Sequence, residues 1–245
     1  MTNLDKVERE NSLRFLITNK SALKELYIKY YYGYLKCLNR CQKTGKAVEL
    51  GSGVGFSKQI VPELVTTDIL PYSNIDICVD AMNMPFENNS LKVIFMLNTL
   101  HHIPDAEFFF SEAIRCLRPK GRIFIIDQYP GIFSYFIFKY FHHEYFDHKA
   151  ENWKFSTTGP LSGANGALAW IIFYRDREIF KQLFPELIIQ SINRHTPFSY
   201  WLAGGLKSWS LVPKPFYPML SRFDDFVSRM IPSLGSFVTV ELMRR

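Results

Sequence analysis

Apolar residues recur every three or four positions early in the chain: Leu23, Leu26, Tyr27, Tyr30, Tyr34 and Leu38 fall on one face. That period predicts a helix over residues 21–41 with Ser21 as its N-cap, its tyrosines serving packing. The pattern then changes to short continuous apolar runs: Ala47, Val48 and Leu50, then residues 64–69, 75–79, 91–97 and 122–126. Runs of this length, bounded by turn residues, are what strands buried on both faces show. Helical stretches separate them, at 56–61 and from an Asp105 cap to Leu117, where Arg118, Pro119, Lys120 and Gly121 stop the helix. A further helix at 175–184 and strands at 187–192 and 237–242 complete the series.

Strand and helix alternating at this pace predict an α/β fold: a seven-stranded, mostly parallel sheet with right-handed crossovers and helices on both faces. We expect one domain over residues 1–245, opened by an N-terminal helical segment (1–45) and interrupted by insertions at 131–170 and 196–231. Ligands of such sheets bind beyond the carboxyl ends of the strands. Glu49, Asp68, Asp80, Asn98 and Asp127 all fall at such ends.

The stretch KAVELGSGVGFSK (46–58) carries the chemistry. Gly51, Ser52, Gly53, Val54 and Gly55 form a turn so poor in side chains that a ligand can touch its backbone. The helix expected after it would aim free N–H groups at the strand end. A dinucleotide fingerprint wants glycine or alanine at the sixth loop position, and Phe56 stands there. Glu49, just before the loop, suits an ammonium group better than a pyrophosphate. A cationic cofactor is therefore preferred, with NAD as the alternative.

These landmarks resemble the class I S-adenosylmethionine-dependent methyltransferases, in the type 11 small-molecule branch. The matching residues are the run from Val48 to Gly55, then Asp68, Asp80-Ala81 followed by Met84-Pro85-Phe86, Asn98 to His102, and Leu117 to Arg122. Lys120 departs from the glycine usual in the family. The resemblance implies a Rossmann-like sheet whose last strand is antiparallel. It also implies that Gly51, Ser52, Gly53 and Gly55 approach the methionine moiety of S-adenosyl-L-methionine and that Glu49 balances its amino group. Asp68 would accept from the ribose hydroxyls, and Asp80 would receive the adenine amino group, with the Ala81–Met82 backbone flanking the ring. Asn98 would line the sulfonium side. A base is needed only for a hydroxyl or acidic carbon acceptor, and His101 is preferred over His102, His142 and His143. No metal is expected. No Asn-Pro-Pro-Tyr follows the fourth strand, which disfavours amino-methylation of bases or glutamine.

Composition adds modest detail. The chain is 47% hydrophobic and 21% charged, as globular proteins are, and its aromatics concentrate after residue 130. The net charge of +6 suits an anionic surface or a plain solvated one, and the scattered basic residues do not suggest nucleic acid. Cys37, Cys41, Cys78 and Cys116 lack a disulfide or zinc spacing, and the charged N-terminus lacks a signal-peptide core. These features predict a cytoplasmic protein, with contact at the inner membrane face as an extension. The aromatic run at 131–145 reads as a covered lid over the acceptor, with a membrane interface as the alternative. The small-residue stretch at 162–170 reads as a place where chain or ligand comes close rather than pure core. A small molecule, a glycan or a lipid-linked hydroxyl is the expected acceptor. An oxidoreductase and a non-catalytic interaction protein on the same fold are the alternatives.

Overall fold

The computed structural model describes residues 10–142, 144–159 and 163–245. His143 and the Pro160-Leu161-Ser162 run lie outside the described residues. The strands are β1 (Lys46–Leu50), β2 (Leu64–Asp68), β3 (Ile77–Cys78), β4 (Leu91–Leu97), β5 (Leu117–Gln128), β6 (Leu187–His195) and β7 (Phe237–Arg244). They form one sheet in the order β3-β2-β1-β4-β5-β7-β6. Strands β1 to β5 pair in parallel, while β7 runs antiparallel between β5 and β6. The doubly wound α/β architecture and the antiparallel final strand are those expected.

Period-two alternation divides the sheet's side chains between two cores. On β4, Val93, Phe95 and Leu97 join a cluster beneath α2 (Ser21–Leu38), while Ile94 and Met96 join one beneath α3 (Ala106–Cys116). The α2 tyrosines are built into the first core: Tyr34 stacks on Phe95 with centroids 4.3 Å apart and meets Phe124 edge-on at 5.8 Å. Phe110, Phe173, Phe180 and Phe184 form the second, in mutual ring contact. The Asp105 side chain caps α3 by accepting from the Phe108 N–H at 3.0 Å, as expected.

Several local expectations fail. Ser21 is not an N-cap: α1 (Glu10–Asn19) runs almost directly into α2, and Lys20 holds the cap position with no side-chain bond. The helix after the glycine loop is a single 3₁₀ turn, Ser57–Gln59. Pro62 ends it by lacking an N–H, and the Ser57 hydroxyl is spent on Glu49 rather than on the backbone. Strand β3 keeps only two residues, and β5 begins five residues early because the turn at Lys120 (φ 65°) lies within it.

The insertions carry α4 (Ile132–Tyr140), α5 (Leu168–Trp170), α7 (Ser199–Leu202) and α8 (Tyr217–Met230), and between them a π-helical turn over Ile171–Arg175 leads into α6 (Arg177–Leu183). Within the small-residue stretch, residues 163–169 are buried, and chain comes close at its glycines. Ala167, Leu168 and Ala169 are fully buried, and a Cβ on Gly166 would lie 2.4 Å from Gln128 Oε1, so it is chain that comes close there. The aromatic run is not covered: Phe133, Phe136, Tyr140 and Phe141 are 54–74% exposed. Among the described residues, no helix is long and apolar enough to cross a membrane.

Candidate active site

Strand ends and insertions meet around a cavity of about 520 Å³, within the range of small-molecule sites. Every residue the sequence assigned to the cofactor lines it: Glu49, Gly51, Ser52, Gly53, Gly55, Asp68, Asp80, Ala81, Met82 and Asn98. His101, His102 and His142 line it as well.

The loop is held by bonds that only this strand arrangement provides. The Ser52 N–H donates to the Thr67 carbonyl at 2.8 Å, and the Ser52 hydroxyl accepts from the Thr67 N–H at 3.1 Å. Asn74 donates to the carbonyls of Gly53 and Gly55 at 3.1 and 3.2 Å. Gly51 and Gly53 both have left-handed backbones, at φ 67° and 51°. Gly51 is pressed against Thr99, whereas a Cβ on Gly53 would meet nothing within 4 Å. One glycine serves the fold, and the other faces open space.

The acids differ in their engagements. Asp68 accepts from the Gly53 N–H at 2.8 Å and the Leu70 N–H at 2.9 Å, using one site on each oxygen. Burial nonetheless pushes its carboxyl above the usual range, against the pull of those bonds. Glu49 is 2% exposed and accepts from the Ser57 hydroxyl at 2.5 Å. Burial raises its pKa too, and among the described residues no Lys or Arg forms an ion pair with it. Asp80 folds one oxygen back onto the Met82 N–H at 2.8 Å, so it shapes its own turn while lining the cavity. Asn98 has φ 54°, and its Oδ1 is buried without a hydrogen-bond partner.

Those features fit the cofactor. A buried carboxylate lacking a Lys or Arg partner calls for an ammonium group. An orphaned amide oxygen and an open glycine face call for a polar ligand drawn close to the backbone.

The opposite wall is a histidine–carboxylate cluster. His101 Nδ1 lies 2.5 Å from Asp127 Oδ1, and its Nε2 lies 3.3 Å from Glu144 Oε2. Gln128 Nε2 donates to the same Glu144 oxygen at 2.7 Å. His102 Nε2 lies 3.4 Å from Glu144 Oε1, and His142 Nδ1 lies 3.4 Å from Oε2. Burial disfavours charge on His101, but Asp127 and Glu144 outweigh it and hold the imidazole up at about 10. Burial likewise opposes charge on Glu144, and His101 and His102 pull its carboxyl well below the usual range. At neutral pH His101 is thus an imidazolium locked between two carboxylates. It can donate and orient, but it has no lone pair with which to take a proton.

Sequence reading missed several of these groups. Glu144 adjoins the His142–His143 pair, a signal that was there to be used. Asp127 was marked as a strand end without a role. Tyr27 and Tyr31 pack as expected but also line the cavity, as do Leu13 and Ile17 of α1. That helix is pinned across the loop by Glu10, which accepts from the Ser73 N–H at 3.1 Å, and by Arg14, which donates to Asn74 Oδ1 at 3.1 Å.

Comparison with known proteins agrees with this geometry. A family model described as a methyltransferase domain matches residues 48–125, the stretch that supplies the glycine loop, the strand-end acids and the His101–His102 pair. Over those residues the chain is similar to methyltransferase domains. A 27-O-demethylrifamycin SV methyltransferase from Amycolatopsis mediterranei is 42% identical over 48 residues. That match spans 20% of this chain and 18% of the rifamycin enzyme.

Two solved structures share the fold of this chain. Geranyl diphosphate C-methyltransferase from Streptomyces coelicolor, in complex with Mg2+, geranyl diphosphate and S-adenosyl-L-homocysteine, is 15% identical, with a TM-score of 0.51 over 91% of this chain and 81% of that one. Phosphoethanolamine N-methyltransferase 2 from Haemonchus contortus, in complex with S-adenosyl-L-methionine, is 16% identical, with a TM-score of 0.50 over 98% of this chain and 57% of that one. The likeness lies in the fold, while these enzymes methylate different atoms.

Proposed function

We propose that this methyltransferase transfers a methyl group from S-adenosyl-L-methionine to an oxygen of an amphiphilic, lipid-borne acceptor. The observation that carries the reading is a single cavity with the glycine loop, Glu49 and Asp68 on one wall and the histidine–carboxylate cluster on the other. The donor, when bound, supplies an electrophilic methyl group on positively charged sulfur. Glu49 would hold the amino group, Asp68 the ribose hydroxyls, and the Gly53 backbone would lie against the methionine moiety. Catalysis then comes chiefly from alignment of acceptor and methyl carbon. The acceptor oxygen gains the carbon, the bonding pair stays on sulfur, and the hydroxyl proton passes to solvent. His101, preferred by sequence as the base, acts in this reading as a positioning residue whose charge balances Asp127 and Glu144.

The lipid assignment is supported by the surface beside the cavity. On α8, Met219, Phe223, Phe226 and Met230 form an exposed apolar stripe at helical spacing. On α4, Ile132, Phe133, Phe136 and Tyr140 form a second. Phe198 bridges them, with centroids 6.4 Å from Phe133 and 6.0 Å from Phe223. The acids of these segments are withdrawn: Asp224 is buried, and Asp225 pairs with Lys29 at 2.6 Å. Lys139 on α4, Arg222 and Arg229 on α8, and Lys207 and Lys214 ahead of α8 are all exposed. Apolar stripes on helices that also carry exposed basic residues suit the interface of an anionic bilayer. Phe138, Tyr200 and Leu206, from the same insertions, line the cavity and connect it to that face.

The nicotinamide alternative shares the glycine loop and Asp68 but departs at the sixth loop position. Phe56, at the sixth loop position, packs on Tyr31 with centroids 5.1 Å apart, where that fingerprint needs a small residue. Calorimetry with S-adenosylhomocysteine tests the cofactor assignment. Wild type should bind, and Asp68→Ala should weaken binding about 10-fold or more, since one charge-assisted hydrogen bond is worth about 1.5–3 kcal/mol. No binding by wild type would refute it.

A further inference from the structure

We infer that His101, His102 and Glu144 form a binding site for a divalent transition-metal ion on the acceptor wall of the cavity. Their ligand atoms all lie within 4.8 Å of one another. Proximity alone would mean little, but the rings are also oriented for the task.

Each imidazole has its Nδ1 tied down away from the cluster's centre. That of His101 meets Asp127 Oδ1 at 2.5 Å, and that of His102 meets the Gly163 carbonyl at 3.2 Å. A carbonyl can only accept, so the His102 Nδ1 carries the hydrogen. Both rings therefore turn Nε2 towards the same carboxylate, one at each of its oxygens. An imidazole anchored at one nitrogen by a carboxylate or carbonyl, with the other aimed at a shared point, is the arrangement that supports a metal-ligating histidine.

The separations point the same way. Nitrogen–oxygen distances of 3.3 and 3.4 Å exceed a good hydrogen bond. They leave room for an ion between the rings and the carboxylate, whose ligand atoms lie within 4.8 Å of one another. Two imidazoles and one carboxylate suit Zn2+, Co2+ or Fe2+ better than Mg2+ or Ca2+, which prefer all-oxygen shells. All three residues line the cavity, so a fourth position would be reachable by an acceptor oxygen. Binding of the ion would displace the Nε2 proton of His101, and the ion would lower the pH at which a hydroxyl gives up its own proton. The inference thus deepens the methyltransferase reading by naming how that oxygen is activated, although binding of the ion does not depend on it.

The test is a calorimetric titration of chelator-stripped, tag-free protein with Zn2+. Wild type should take up one ion per chain. His102→Ala and Glu144→Gln should weaken uptake by more than the roughly 10–100-fold expected for Asp127→Asn, which removes only the support behind His101. Loading with Co2+ should give the visible absorption of a four-coordinate ion in wild type and not in the two ligand variants, with circular dichroism showing all chains folded. No uptake by wild type, or equal uptake by His102→Ala and Glu144→Gln, would overturn the site. S-adenosylhomocysteine titrated into the metal-free wild type separates the two claims. Binding there preserves the methyltransferase reading if the metal arm fails, and its absence would sink that reading whatever Zn2+ does.

Discussion

Gly51 and Gly53 share a left-handed backbone but face different surroundings, so the same substitution should do different things at each. Alanine at either position costs about 1–2 kcal/mol for holding a side chain at positive φ. At Gly53 the added carbon meets nothing within 4 Å, so that is the whole stability cost. At Gly51 it would lie 2.4 Å from both Thr99 Cγ2 and Thr99 Oγ1 and 3.0 Å from Thr99 Cβ. Overpacking of that kind adds about 1–3 kcal/mol. For a chain of this size each kcal/mol lowers the thermal midpoint by about 2–4 °C. Gly53→Ala should therefore lose about 2–8 °C and Gly51→Ala about 4–20 °C, somewhat more than twice as much at the middle of each range. Binding should rank the other way relative to stability, because the Gly53 methyl enters space kept for ligand. S-adenosylhomocysteine affinity should fall steeply in a Gly53→Ala protein that is otherwise well folded. Adding Thr99→Ala to Gly51→Ala removes two of the three close contacts, and a double-mutant cycle should recover about 1 kcal/mol or more of coupling. Equal midpoints for the two alanine variants, or full affinity in Gly53→Ala, would refute the division of labour between fold and ligand.

Two further predictions concern stability against pH and the membrane face. His195 is half-buried between the hydroxyls of Thr196 and Thr239, each 2.8 Å from a ring nitrogen, and desolvation of the ring lowers its pKa from 6.5 to about 3. The unfolded chain binds a proton below pH 6.5 that the folded chain refuses, so stability should fall by about 1.4 kcal/mol per pH unit below that value. Thermal melts from pH 7 to 5 should show this slope, and His195→Gln should flatten it; an unchanged slope would refute the assignment. Sedimentation with anionic vesicles should carry down wild type but not Phe136→Asp/Phe226→Asp, and neutral vesicles should bind less. If the double variant still sediments, or if light scattering shows wild type burying this face in a dimer, the bilayer reading fails.

Much of this could be read along the chain because the information is local. Buried parallel strands need unbroken apolar runs, and β1, β2 and β4 announce themselves that way. A backbone that must curl at φ 67° and 51° needs glycine, and acids at strand ends fall beside one another once the strands are parallel. Hence the glycine-loop wall of the cavity, from Glu49 to Asn98, was legible in order.

The acceptor wall was not, because its parts come from segments with no common period. Glu144 reaches His101 and His102 only when the chain after α4 returns over the ends of β4 and β5. The resulting charges turn His101 from a base into an imidazolium. Likewise, α1 became part of the site only through the grip of Glu10 and Arg14 on residues 73 and 74. The aromatic stripes of α4 and α8 show why such features escape the sequence. Periodicity says that a helix has an apolar face, but only the packing of its neighbours decides whether that face is covered or left to meet another surface.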